Sequence, residues 1–132
     1  MKKLFVIFIA LLFHQAVQAQ KEEKWEVLGT KEIGLKADYD VIVLTAGNDK
    51  ISKIKFQVKD SPVDMMRIEV TYDVGTPDQI EMRGKIADGG ESRTVDIRGI
   101  GNKKIRKITF WYDTKGLNGN ATVTILGVKE GR

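Results

Sequence analysis

The sequence predicts an all-β protein: an antiparallel β-sandwich of about eight strands with jelly-roll or immunoglobulin-like topology. Apolar residues recur mainly with period two, the repeat that puts alternate side chains on one face of a strand. Breaks rich in glycine, asparagine, aspartate and proline separate these short segments, and no segment shows the repeat of an amphipathic helix. Short strands joined by such turns are typical of sandwiches, with a small barrel as the alternative.

Two strands show the alternation most clearly. Their predicted inward residues are Ile54, Phe56 and Val58 in one strand and Met66, Ile68, Val70 and Tyr72 in the next. Shorter runs predict further strands at 25–33, 41–44, 79–83, 92–98, 105–112 and 121–128. The breaks between the runs contain the residue types that tolerate a reversal of the chain. We expect no helix beyond one short turn within 33–40.

The first nineteen residues predict a secretory signal peptide. Lys2 and Lys3 precede an unbroken apolar run from Leu4 to Phe13, and the segment ends in small residues up to Ala19. A helix of about ten residues is roughly 15 Å long, half of a hydrocarbon core of about 30 Å, so a membrane anchor fits less well. We therefore expect cleavage near Ala19 and a periplasmic or extracellular protein without a membrane span. The exported part, 20–132, is expected to be one β-sandwich domain in which 20–24 are disordered.

The exported chain lacks the two residue types most used in catalysis. Cysteine is absent, and the single histidine, His14, leaves with the signal. Ser-His-Asp and Cys-His mechanisms and histidine-based zinc sites are therefore excluded. We predict a non-enzymatic protein without a cofactor, stabilised by a packed core instead of disulfides. The remaining enzymatic alternatives are a pair of carboxylates, as in glycoside hydrolysis, and a serine activated by a lysine.

The charge pattern argues against a nucleic-acid partner. The formal net charge is +4, and Lys2 and Lys3 contribute to it, so the exported chain is only slightly basic. Acidic and basic residues alternate along most of the chain, whereas a polyanion-binding protein would more often show a concentrated basic stripe.

Trp111 is the first candidate binding residue. It lies between Phe110 and Tyr112, so strand alternation puts those two neighbours in the core and points Trp111 outward. An exposed indole on a sheet face could stack on a sugar ring or on a partner side chain. The alternative is a packing role, with Trp111 covered by a loop or by the segment around Trp25.

Three arginines, Arg93, Arg98 and Arg106, are further candidate binding residues. They lie in or beside two successive predicted strands. A planar guanidinium can pair bidentately with a carboxylate, either of a ligand or of the protein itself. Binding a ligand and tethering loops are therefore both open at this point.

The acidic loops offer only weak calcium candidates, and we predict no metal site. Calcium prefers oxygen ligands, which Asp38, Asp40, Asp49 and Asp113 could supply. None of these segments matches an EF-hand loop. Aspartate and asparagine also favour turns by themselves, which accounts for their positions without a metal.

Several short motifs together resemble a family of small bacterial exported β-rich domains of unknown function. The motifs are Trp25-Glu26-Val27-Leu28-Gly29, Asp38-Tyr39-Asp40-Val41-Ile42, Gly90-Glu91-Ser92-Arg93, Arg106-Lys107-Ile108 and the strand from Ala121 to Gly127. The resemblance spans about 25–128 and implies one β-rich domain after a signal peptide. It implies no activity, ligand or catalytic residue.

These observations lead to one functional hypothesis and two alternatives. The first is an exported, non-enzymatic binding module for a cell-envelope protein or glycan, with Trp111 and the three arginines as the residues to substitute. The second is a glycan-processing enzyme that uses two carboxylates. The third is an envelope assembly or scaffold subunit, which would carry an exposed apolar patch or an unpaired edge strand. The sequence leaves the oligomeric state open.

Overall fold

A computed structural model describes residues 23–44, 50–97 and 104–129 of the 132-residue chain. Eight β-strands account for most of this part of the chain, as the sequence predicts. They are β1 (Glu26–Ile33), β2 (Tyr39–Val43), β3 (Ile51–Lys59), β4 (Val63–Tyr72), β5 (Asp78–Ile86), β6 (Val95–Asp96), β7 (Ile105–Asp113) and β8 (Ala121–Lys129). The one helical element within the described ranges is a short 3₁₀ turn at Thr114–Gly116, not within 33–40, where the sequence allowed for one. No described helix has the length and apolar character needed to cross a membrane.

The strands form two four-stranded antiparallel sheets packed as a sandwich. The first sheet has the order β1-β8-β3-β6 and the second has the order β2-β7-β4-β5. Thus β1 pairs with β8, β2 with β7, β3 with β6, and β4 with β5. This is the pattern of one long hairpin rolled onto itself. An immunoglobulin-like order would instead make the first two strands neighbours in one sheet. Of the two predicted topologies, the strand order is therefore that of a jelly roll.

The core lies between the two sheets and is formed by the inward residues of both. Phe56 of β3 and Phe110 of β7 are fully buried and meet edge to face, with ring centroids 6.0 Å apart at 61°. Tyr112 packs beside Phe110 at 5.8 Å. Burial of each such side chain stabilises the fold by about 1.5–3 kcal/mol. The period-two pattern that predicted these inward positions is thus confirmed for β3 and β7.

Two strands differ from the predicted pattern for identifiable reasons. Met66, predicted to face the core, is 50% exposed because a β-bulge at this residue shifts the register of β4 between Met65 and Arg67. Met65 occupies the inward position instead and is 1% exposed. Within the described residues, the predicted strand at 92–98 is reduced to β6. The Ser92 amide still donates to the Phe56 carbonyl oxygen, but the Phe56 amide donates to Ser92 Oγ and not to a backbone carbonyl, so the regular ladder is interrupted there.

The segment before β1 is attached to the outer face of the first sheet. Lys55 Nζ lies 4.2 Å from the ring centroid of Trp25, and Glu23 forms an ion pair with Lys53. Lys55 also pairs with Glu91 at 3.1 Å, and this contact links the segment to the chain before β6. Trp25 therefore covers the first sheet and does not cover Trp111, which belongs to the second.

Candidate ligand-binding face

A row of four side chains crosses the outer face of the second sheet. Trp111 of β7 stands opposite Tyr39 of β2 on one side and Arg67 of β4 on the other, and Arg67 stands opposite Glu81 of β5. Directly opposed residues of antiparallel strands project from the same face with Cβ atoms about 5 Å apart. The register alone therefore assembles one residue from each strand into a continuous row, which we call the outer row.

The indole of Trp111 is held from two sides within the outer row. The Tyr39 ring lies 6.1 Å away between centroids and is tilted by 31°, and the Arg67 guanidinium carbon lies 4.2 Å from the ring centroid. The second distance is within the range of a cation–π contact. Trp111 is half-buried by these neighbours, whereas Tyr39 at the sheet edge is 51% exposed. Tyr39 consequently offers the most accessible aromatic surface of the row.

A cleft of about 370 Å³ adjoins the outer row on the side of β4 and β5. It coincides with the bulge of β4, so the side chain of Met66 reaches the surface there. The lining residues are Asp64, Met65, Met66, Arg67, Glu81, Arg83, Gly84 and Asp113. Aromatic, apolar and charged groups therefore converge on one surface, as they do in small-molecule sites.

The charged groups that line the cleft differ in the contacts that they already make within the protein. Glu81 accepts a hydrogen bond from Arg83 Nε at 2.7 Å, and this contact raises the pKa of Arg83. Asp64 and Asp113 stand opposite each other on β4 and β7. Asp113 accepts a hydrogen bond from the Lys115 amide at 2.9 Å. Within the described ranges, the carboxylates of Asp64 and Asp113 form no ion pair, and neither does the guanidinium of Arg67.

The predicted arginines lie away from the outer row. Arg93 Nη2 donates to the Glu81 carbonyl oxygen at 2.6 Å, so it joins the segment before β6 to the free edge of β5. It lines a second cleft of about 390 Å³ at this open edge. Arg106 lies at the other end of β7, five residues or about 17 Å along the strand from Trp111. Arg98 lies outside the described residues.

Three of the calcium candidates make contacts within the protein, and the fourth lies outside the described ranges. Tyr112 donates to Asp40 Oδ2 at 3.3 Å, and Lys31 Nζ lies 3.8 Å from Asp40 Oδ1. The carbonyl oxygen of Asp38 accepts a hydrogen bond from the Tyr112 amide, and Asp113 caps the 3₁₀ turn. Asp49 is outside the described residues. Among the described residues, no group of three or more acidic side chains is placed to hold a metal ion.

The two residues that complete the surroundings of Trp111 were missed at the sequence level. Arg67 was assigned to the polar face of an alternating strand, and Tyr39 to an acidic motif between two aspartates. The alternation of apolar and polar residues in the sequence already indicates that Arg67 points outward. Its position opposite Trp111 depends on the register of β4 and β7, which the alternation does not determine.

The comparison with protein families decides the family of this chain. A family model described as a domain of unknown function (DUF2541) matches residues 4–127. The chain belongs to the DUF2541 family. This finding confirms the predicted membership of a β-rich family of unknown function. A comparison of this DUF2541 chain with curated proteins finds no match.

Solved structures with a similar fold include AlgX and two carbohydrate-binding modules. AlgX of Pseudomonas aeruginosa matches with a TM-score of 0.50 and 14% identity over 78% of the DUF2541 chain, which spans only 27% of AlgX. A mutant of the family 29 module CBM29-2 has a TM-score of 0.42 and 15% identity, covering 82% of this chain and 93% of the module. A family 29 module from Piromyces equi has a TM-score of 0.42 and 12% identity, covering 82% and 92%. At these identities the likeness concerns the fold alone.

Proposed function

We propose that this domain is a non-enzymatic binding module that holds a glycan on the outer face of its second sheet. The observation that carries the proposal is the outer row, in which the rings of Tyr39 and Trp111 are followed by Arg67 and by the adjoining cleft. Sugar rings present apolar C–H faces and polar hydroxyl edges. An aromatic surface beside ionised donors and acceptors complements both.

The aromatic residues and the charged residues of this surface would contribute differently to binding a sugar. Tyr39 is the exposed ring and supplies the surface on which a sugar stacks. Trp111, held between Tyr39 and Arg67, keeps its orientation before a ligand arrives, which lowers the entropy lost on binding. The charged groups of the cleft then fix the position of the hydroxyl groups.

Export to the cell envelope is part of the proposal. It is supported by the predicted signal peptide, which ends near Ala19. A glycan-binding domain in the periplasm or outside the cell would have access to envelope polysaccharides. A protein partner on the same face is the other outcome that the binding experiments below can reveal.

The test is a binding screen that uses Trp111 as the reporter. The chain contains two tryptophans, so the variant Trp25→Phe leaves Trp111 as the single source of indole emission. Soluble envelope glycans, peptidoglycan fragments and cellohexaose are added, and emission and melting temperature are recorded. A ligand at 100 times its Kd should add about 2.7 kcal/mol to the free energy of unfolding.

Variants on the two outer faces make the result specific. Tyr39→Ala, followed by Trp111 emission, and Trp111→Ala, followed by melting temperature because it removes the reporter, should both abolish binding. The control Thr122→Ala lies on the outer face of the first sheet and should bind as the parent does. Binding that survives both aromatic substitutions would contradict the proposal.

A carboxylate enzyme is the second candidate, because acidic residues do share the cleft. Asp64 and Asp113 face each other on neighbouring strands, and Glu81 lines the same cleft. Glycoside hydrolysis uses two carboxyl groups on either side of the scissile bond. Incubating each bound glycan with the protein and measuring new reducing ends separates the two functions. Hydrolysis that is lost in Asp64→Asn would establish the enzyme and overturn the binding module.

A further inference from the structure

The lining of the cleft contains ionised groups of both signs. Three carboxylates and two guanidinium groups line it, and one carboxylate, that of Glu81, is already paired with Arg83. This leaves the carboxylates of Asp64 and Asp113 on one part of the wall and the guanidinium of Arg67 on another. None of these three groups forms an ion pair within the part of the chain that the structure describes.

The hydrogen-bonding roles of these groups are fixed by their charge. An ionised carboxylate only accepts hydrogen bonds, and a guanidinium only donates them, with its donors in a planar fork. The guanidinium of Arg67 lies over the Trp111 ring, and Arg67 also lines the cleft, so a ligand in the cleft meets this guanidinium as well as Asp64 and Asp113. A matching ligand must therefore accept from Arg67 and donate to the aspartates within one small volume.

A hydroxyl group meets both requirements, because it donates one hydrogen bond and accepts others. We propose, on the basis of the glycan-binding face described above, that the cleft takes a neutral sugar ring with free vicinal hydroxyls. Arg67 donates to a pair of neighbouring hydroxyl oxygens, and Asp64 and Asp113 accept the hydroxyl protons. The ring itself packs against Met66 and the end of the outer row.

Charged sugars fit the same cleft less well. A uronate would satisfy Arg67 but would bring its carboxylate beside Asp64 and Asp113. An amino sugar would satisfy the aspartates but would bring an ammonium group beside Arg67 and Arg83. Like charges in a partly desolvated site disfavour binding. For either charged sugar, repulsion from the like-charged groups of the cleft therefore offsets the attraction to the opposite charges.

The experiment compares three oligosaccharides of equal length: a neutral glucose hexamer, a glucosamine hexamer and a glucuronate hexamer. Binding to the full exported chain carrying Trp25→Phe is titrated at low salt and at about 0.5 M salt, where exposed charges are screened. We expect the neutral hexamer to bind at least tenfold more tightly than the other two at low salt, with a Kd that changes less than about twofold with salt.

Two variants test the assignment of the groups, and the arginine variant has a matched control. Arg67→Lys keeps the charge but loses the planar fork, and should weaken binding of the neutral hexamer by about tenfold. Asp64→Asn should weaken it to a similar degree and improve binding of the glucuronate hexamer. The control Arg106→Lys makes the same chemical change at the other end of β7 and should leave the Kd unchanged. Melting temperatures confirm that each variant is folded.

The outcomes distinguish this inference from the proposed function. A charged hexamer that binds most tightly, with strong dependence on salt and complete loss in Trp111→Ala, would overturn the neutral-sugar inference and leave glycan binding intact. Equal binding to the parent and to Arg67→Lys would also overturn it. If none of the three hexamers alters Trp111 emission or the melting temperature, while another glycan in the wider screen does, the inference fails alone. If no glycan does, both fail.

Discussion

The guanidinium of Arg67 lies 4.2 Å from the centroid of the Trp111 indole, where the two side chains face each other on β4 and β7. Tyr39 flanks the same indole from β2. An outward tryptophan on a sheet would otherwise be free to change rotamer. The contacts from both neighbouring strands hold it in one orientation, so the outer row has its shape before any ligand binds.

The contact between Arg67 and Trp111 should be measurable by itself. A double-mutant cycle with Arg67→Ala and Trp111→Ala isolates the pairwise energy from the effects of each truncation. We expect a coupling of about 0.5–1 kcal/mol, as for cation–π contacts at exposed sites, from urea unfolding of the four proteins. A coupling within error of zero would show that the stacked geometry does not persist in solution.

Adjacent residues Phe110 and Trp111 should respond very differently to truncation. Phe110 is fully buried against Phe56, so Phe110→Ala leaves a cavity and should cost about 3–5 kcal/mol. Trp111→Ala removes one aromatic contact and one cation–π contact on the surface, and should cost about 1–2 kcal/mol. Urea midpoints measure both. Losses of equal size would place Trp111 in the core, contrary to the structure.

This contrast shows what period-two alternation can predict. It assigned Phe110 and Tyr112 to the core and Trp111 to the outer face, and the structure confirms all three. It failed at Met66, because a bulge inserts one residue and reverses the parity of what precedes it. Glycine, asparagine, aspartate and proline mark chain reversals in the sequence. No comparable signal marks the bulge inside β4.

The candidate site was less predictable than the fold, because it depends on pairing between distant strands. Trp111 could be proposed from its own strand, whereas Tyr39 and Arg67 join it only through the register of β2 and β4 with β7. The predicted arginines were chosen because they lie in or beside two successive predicted strands. Arg93 instead contacts β5, and Arg106 lies at the far end of β7.

Arg93 should contribute to stability and not to ligand binding. Its guanidinium donates to the Glu81 carbonyl oxygen at 2.6 Å across the open edge between the sheets. Arg93→Ala removes this hydrogen bond and should lower the free energy of unfolding by about 0.5–1.5 kcal/mol. The Kd for any glycan bound at the outer row should stay unchanged, as titration of Trp111 emission would show. A loss of affinity without a loss of stability would make Arg93 a ligand contact after all.

Tyr112 should make the protein sensitive to alkaline pH. Burial, with a further contribution from the charge of Asp40, raises the pKa of Tyr112 to about 12, compared with about 10 in an unfolded chain. The stabilisation that neutral, buried Tyr112 contributes to the folded state is therefore fully present below pH 10. It is lost as pH rises toward 12, by about 1.4 kcal/mol per pH unit.

The matched variant Tyr112→Phe isolates this effect from other groups that titrate at high pH. Tyr72, whose pKa is also raised by burial and by its hydrogen bond to Asp78, is present in both proteins, so its contribution cancels. Urea unfolding at pH 8, 10 and about 11.5 should show a steeper decline for the parent than for the variant. Equal declines in the two proteins would show that folding does not raise the pKa of Tyr112.

Gly29 should tolerate no side chain. A Cβ atom there would collide with Cγ2 of Ile42, which belongs to the opposite sheet. Gly29→Ala is therefore overpacked and should cost about 1–3 kcal/mol. Gly84→Ala is the matched control in another strand, because its Cβ would meet only the Met82 carbonyl oxygen at an ordinary 3.6 Å. Melting temperatures that fall equally in the two variants would contradict the close approach of β1 and β2.

The jelly-roll order also governs when the chain can fold. β8 lies between β1 and β3, and β7 lies between β2 and β4, so the two C-terminal strands of the described residues occupy central positions in their sheets. A growing chain that has not yet produced them can pair only β4 with β5 and the two residues of β6 with β3. The inward faces of β1, β2 and β3 stay uncovered until β7 and β8 have been synthesised, and closing such distant contacts is slow. We therefore expect the sandwich to fold only after β7 and β8 are available.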